Sequence, residues 1–140
     1  MKGTYYIDAN VFLYPVLYQG LPQVDSARKV LTSIENKEIQ AYTSTLTWDE
    51  VSYVTGKLLG RTDSVEIGRK FLNFPNLRFV AMDEKVMRRG QKVREQYDLK
   101  PRDSIHLSSA IERNVRKIIS DDSDFDGIGE IERVALTGLK

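Results

Sequence analysis

Short apolar runs rich in strand-forming residues alternate along this chain with longer segments whose apolar residues return every three or four positions. Thr4, Tyr5, Tyr6 and Ile7 make the first run, stopped by the turn-prone pair Asp8 and Asn10. A helix is expected from there to Tyr18. Between Gln23 and Glu35, the residues Val24, Ala27, Val30, Leu31 and Ile34 occupy one helical face. A short strand, Gln40 to Thr43, leads to a helix over Thr47 to Leu59, which Gly60 is placed to stop. A further helix is expected over Ser64 to Leu72. Pro75 and Asn76 then precede a strand from Leu77 to Ala81, and Asp83 opens a charged helix to about Tyr97. After Pro101, the pattern gives a helix over Arg102 to Arg113, a strand over Lys117 to Ser120 and a last strand over Arg133 to Thr137. Such alternation specifies the α/β class, a three-layer sandwich with a central, mainly parallel sheet; the strand order does not follow from it.

The bulk composition narrows the chemistry. A length of 140 residues, with 41% hydrophobic and 29% charged residues, is expected to make one domain over residues 1–140 with a single core. With no cysteine, disulfides, thiolate zinc and thiol nucleophiles are excluded, so any metal must bind through oxygen or through His106. The apolar stretch Val11 to Tyr18 is preceded by Asp8 and Asn10 and broken by Pro15, which makes it a poor signal peptide. No run has the length of a membrane span, and a soluble cytoplasmic protein is expected.

In a parallel α/β sheet, ligands collect beyond the carboxyl ends of the strands. Four acids stand at such places: Asp8 after the first strand, Glu50 early in a helix after the second, Asp103 at the opening of a helix, and Asp122 after the strand ending at Ser120. Carboxylates held close together raise one another's pKa, so several ionised at once need a cation, and hard oxygen donors suit Mg²⁺ or Mn²⁺. Setting these four aside from the 20 acids leaves 16 against 21 basic residues, a body of +5 around an acidic pit. Each acid also has an uneventful reading: Asp8 as a helix cap, Glu50 in a capping box with Thr47, Asp103 as a helix-dipole partner, and Asp122 with Asp124 in an Asx turn.

The combination of motifs resembles the PIN-domain family, and within it the compact VapC-type toxin ribonucleases. The residues that carry the resemblance are Tyr5-Tyr6-Ile7-Asp8-Ala9-Asn10-Val11-Phe12-Leu13, Trp48-Asp49-Glu50-Val51, Arg102-Asp103-Ser104-Ile105-His106-Leu107-Ser108-Ser109-Ala110, and Ile118-Ile119-Ser120-Asp121-Asp122-Ser123-Asp124-Phe125, with Asp126 beyond. The resemblance runs almost end to end. It implies that Asp8, Glu50, Asp103 and Asp122 are metal-binding, catalytic acids, with Asp124 a fifth ligand, and that Asn10 and Ser120 support them by hydrogen bonding. It further implies an RNA substrate cut by metal-activated water, a small antitoxin protein as partner, and a homodimer. Ser104 and Ser108 depart from the pattern, standing where small apolar residues such as Ala are usual. Asp49 competes with Glu50 for the mid-chain role and Asp121 with Asp122 for the last. Glu50 is chosen because it directly precedes Val51, and Asp122 for its spacing to Phe125.

Other residues read more plainly. His106 lies three residues after Asp103, on roughly the same helical face, and is expected to be a packed, hydrogen-bonded histidine rather than a ligand or base. Trp48 and the early tyrosines are expected in the core or at a subunit contact, and the helix with Arg88, Arg89, Lys92 and Arg94 offers either a phosphate grip or a solvated basic face. The rival to a nuclease is a catalytically silent PIN-like module that binds RNA or protein. A receiver-like phosphatase fits poorly, since neither Asp83 nor Lys117 stands where that chemistry needs it.

Overall fold

A computed structural model describes residues 1–139. Five strands, β1 (Thr4–Ile7), β2 (Gln40–Ser44), β3 (Leu77–Val80), β4 (Lys117–Ile119) and β5 (Glu132–Val134), form one sheet in the order β3-β2-β1-β4-β5. Every pairing is parallel, with Tyr6 opposite both Tyr42 and Ile118. The chain therefore moves outward from β1 to β3 on one side, then crosses back to lay β4 and β5 on the other. The two directions separate at the junction of β1 and β4. That junction is where a crevice opens in such sheets.

Side-chain alternation along β1 builds the two cores. Tyr5 and Ile7 enter a cluster with Val11 and Phe12 of α1 (Ala9–Leu17), Ala27, Val30 and Ile34 of α2 (Pro22–Glu35), Val51 of α3 (Thr45–Leu59) and Phe71 of α4 (Arg61–Leu72). Tyr6 points the other way, into a cluster with Val93 of α5 (Glu84–Gln96), Leu107 and Ala110 of α6 (Pro101–Glu112), Ile118 and Phe125. A central strand that packs on both faces must be apolar throughout, and this is why the first run reads as it does. The result is the expected three-layer α/β sandwich.

Most element bounds fall within a few residues of the expected ones. α3 starts at Thr45 rather than Thr47, because Ser44 is its cap: the Ser44 hydroxyl accepts from the Leu46 N–H at 3.0 Å. This corrects the capping-box reading of Glu50, since Thr47 lies inside the helix, fully buried, with its hydroxyl 2.7 Å from that of Thr43. Pro15 does not end α1, which continues to Leu17. The last strand closes at Val134, and Leu136–Gly138 forms a short 3-10 turn instead. Among the described residues, no helix is long and apolar enough to cross a membrane.

Candidate metal centre

The chain delivers each acid to the carboxyl end of the sheet by ordinary local means. Asp8 caps α1, and its buried carboxylate accepts from the Ala9 N–H at 2.7 Å through Oδ1. Its Oδ2 accepts from the Ser120 hydroxyl at 2.6 Å and from Asn10 Nδ2 at 3.2 Å. Ser120 Oγ in turn accepts from the Asp122 N–H at 3.0 Å, tying the ends of β1 and β4 together. Asp122 caps a 3-10 turn, Ser123–Phe125, by accepting from the Asp124 N–H at 2.9 Å. The cap and Asx-turn readings of Asp8 and Asp122 thus hold, and they leave room for a further ligand, because one carboxylate offers more than one lone pair. Phe125, fully buried, anchors that turn in the second core.

Asp103 stands in the first turn of α6. One carboxylate oxygen each from Asp103, Asp122 and Asp124 lies within 4.8 Å of the others. Glu50, Asp103 and Asp122 line one cleft of about 750 Å³, with Lys100 and Arg102 at its edge and Leu46 and Met82 on its apolar wall. Burial, followed by the charges of Asp122 and Asp8, raises the Asp103 pKa to about 7. The competing acids go elsewhere: Asp121 accepts from the Tyr14 hydroxyl at 2.5 Å, and Asp49 is exposed and does not line the cleft.

A donor set made wholly of carboxylate oxygens, with one driven toward protonation by burial and by its neighbours' charges, fits a hard divalent cation. Asp103, Asp122 and Asp124 offer three mutually close oxygens to such an ion; Asp8 and Glu50 stand outside that group, Glu50 lining the same cleft and Asp8 near enough for its charge to act on Asp103.

His106 is fully buried, as expected, and both ring nitrogens are engaged. Nδ1 lies 2.6 Å from the Tyr6 hydroxyl and Nε2 2.5 Å from Glu50 Oε1. Burial alone would lower its pKa; the Glu50 hydrogen bond, helped by the charges of Asp8 and Asp103, outweighs that and leaves it raised. Its link to Glu50 went unseen in the sequence because the two residues are 56 positions apart.

The two unexpected serines of α6 are also satisfied. Ser104 donates to the Pro101 carbonyl and Ser108 to the Val86 carbonyl of α5, each at 2.6 Å. The basic face of α5 is partly self-neutralised, Arg88 pairing with Glu84 and Arg89 and Lys85 with Glu112.

No curated protein matches the chain. Several solved structures share its fold. A toxin-antitoxin complex from Klebsiella pneumoniae is 20% identical, with a TM-score of 0.67 over 91% of this chain and 95% of that one. VapBC2 from Rickettsia felis, bound to a DNA fragment from its promoter, is 17% identical, with a TM-score of 0.73 over 94% and 98%. VapC20 of Mycobacterium tuberculosis, a sarcin-ricin loop cleaving toxin, is 12% identical, with a TM-score of 0.73 over 91% and 96%. The family profile of the PIN domain matches residues 5–131, and the chain belongs to that family.

Proposed function

We propose that the protein is a metal-dependent endoribonuclease, the toxin of a toxin-antitoxin pair, whose acids Asp8, Glu50, Asp103 and Asp122, with Asp124, hold Mg²⁺ or Mn²⁺. The observation that carries this reading is the convergence of Glu50, Asp103 and Asp122, from three distant segments, on one cleft, with the proton affinity of Asp103 raised by burial and by the charges of Asp122 and Asp8. A bound divalent ion would lower the pKa of water and offset charge on an attacked phosphodiester.

The chain's own residues set the frame for that chemistry. Ser120 and Asn10 hold the Asp8 carboxylate in one orientation. Lys100 and Arg102, beside the acids, supply positive charge toward a polyanion's phosphates, and Leu46 and Met82 give sugar or base an apolar wall. The sole histidine is buried with both nitrogens engaged, so no imidazole in this chain is free to take a proton from a ribose 2′-hydroxyl. This fits attack by metal-activated water, whose products would carry no 2′,3′-cyclic phosphate.

An antitoxin and a second copy of the chain are the partners this reading implies. It is supported by the likeness to toxin-antitoxin complexes and by exposed apolar side chains such as Val16, Tyr18 and Leu21 around α1. The test is cleavage of an end-labelled RNA by purified protein in Mg²⁺ or Mn²⁺, with a chelator control and Asp8→Asn prepared identically. Metal-dependent cutting by the wild type alone is expected. Equal cutting by Asp8→Asn would refute the site, and no cutting over a panel of structured RNAs would favour the silent binding module.

A further inference from the structure

Three elements meet at His106. Tyr6 lies in β1, His106 in α6 and Glu50 in α3, and they form a chain of hydrogen bonds running from the core to the cleft. His106 Nε2 also lies 3.7 Å from Asp8 Oδ1, so one ring nitrogen faces two of the acids. An ionised carboxylate only accepts, so the bond to Glu50 requires the proton on Nε2 whatever the state of Nδ1. At the far side of the ring, Tyr6 holds Nδ1 at 2.6 Å, and the two rings meet edge-on at 61° with centroids 5.6 Å apart. The imidazole is thereby fixed in position and tilt.

We propose that Tyr6 and His106 are positioning residues, a buried relay that holds the Glu50 carboxylate, with Asp8 beside it, in the arrangement that receives the divalent cation. The inference rests on the metal-dependent reading of the cleft. Glu50 is the one acid of the set on α3, and its side chain is 18% exposed. Facing several other carboxylates and free to rotate, it would swing toward solvent and away from the cluster. A rigid N–H donor at 2.5 Å selects one orientation before any ion arrives. His106 itself is fully buried and acts through Glu50 rather than on substrate. Outer partners that orient metal-binding side chains in this way typically contribute about 10–100-fold to metal affinity.

The experiment is a Mn²⁺ titration of the full chain, free ion being followed by its EPR signal, beside a thermal melt in chelator that reports folding. The variants are His106→Leu, His106→Gln and Tyr6→Phe, with Asp103→Asn as the reference for a lost ligand. His106→Leu should weaken Mn²⁺ binding by about 10–100-fold. His106→Gln, which keeps an N–H donor, should recover most of the loss. Tyr6→Phe, which keeps the ring and its packing, should weaken binding by a smaller factor. A folded His106→Leu that binds Mn²⁺ as the wild type does, while Asp103→Asn does not, overturns the relay and leaves the metal site standing. If His106→Leu fails to fold, wild-type affinity in Tyr6→Phe overturns it equally. Failure of the wild type to bind Mn²⁺ overturns the metal site, and the relay with it.

Discussion

Removing the charge of Asp103 should stabilise the ion-free protein and do so in a pH-dependent way. The folded state holds the Asp103 proton up to a pKa of about 7, against 3.8 for the ordinary group, a rise of about three units. A raised carboxylate pKa means that the folded chain binds more protons than the unfolded one between these values, so wild-type stability falls as pH rises through that window. At about 1.4 kcal/mol per unit, the full cost above pH 7 would be about 4 kcal/mol. The carboxylate faces the open cleft, where solvent screens it, and the N-terminal dipole of α6 returns up to about 1 kcal/mol, so a net penalty of about 1–2 kcal/mol is expected. Asp103→Asn should therefore melt roughly 3–8 °C above the wild type at pH 8 in chelator. The gain should shrink as pH falls toward the ordinary carboxylate value and be mostly lost by about pH 4. Saturating Mg²⁺ should invert the order, since at a hundredfold excess over Kd it adds about 2.7 kcal/mol to the wild type alone. Calorimetry or circular dichroism at several pH values would measure this. A variant no more stable than the wild type at pH 8, or a gain unchanged between pH 4 and pH 8, would refute the argument that burial and neighbouring charge penalise the Asp103 carboxylate.

Ser120→Ala removes the donor to Asp8 Oδ2 and the acceptor of the Asp122 N–H. It should cost about 1–3 kcal/mol in urea denaturation and lower cleavage further than that loss explains. Phe125→Ala empties a fully buried site beneath the turn bearing Asp122 and Asp124, with an expected loss of about 3–5 kcal/mol by the same measurement. Lys100→Ala with Arg102→Ala should weaken RNA binding across sequences and flatten its salt dependence by about one unit of slope per lost contact, read from titrations at several ionic strengths. Gly90→Leu should destabilise by about 1–3 kcal/mol, because even a Cβ there would sit 3.1 Å from Ile105 Cδ1 across the α5–α6 contact; an unchanged melting temperature would contradict it.

The sequence by itself determined the kind of fold and which acids are candidates for the site. Hydrophobic period is a local property: Tyr5, Tyr6 and Ile7 announce a strand buried on both faces, and Val24, Ala27, Val30 and Ile34 announce a helix with one buried face. Asp8, Glu50, Asp103 and Asp122 stood out because strand ends and helix starts are themselves local signals. The tertiary structure decided everything that depends on contacts between distant segments. The order β3-β2-β1-β4-β5 leaves no local trace, yet it is what brings Asp8 beside Ser120, 112 residues away. The choices of Asp122 over Asp121 and of Glu50 over Asp49 turn on side-chain direction, which exists only in three dimensions: Asp121 is engaged by Tyr14, and Glu50 rather than Asp49 lines the cleft. His106 shows the division most plainly. Its burial was legible from the apolar face of α6, whereas its hydrogen bonds to Tyr6 and Glu50 exist only because packing carries β1 and α3 to opposite sides of one ring.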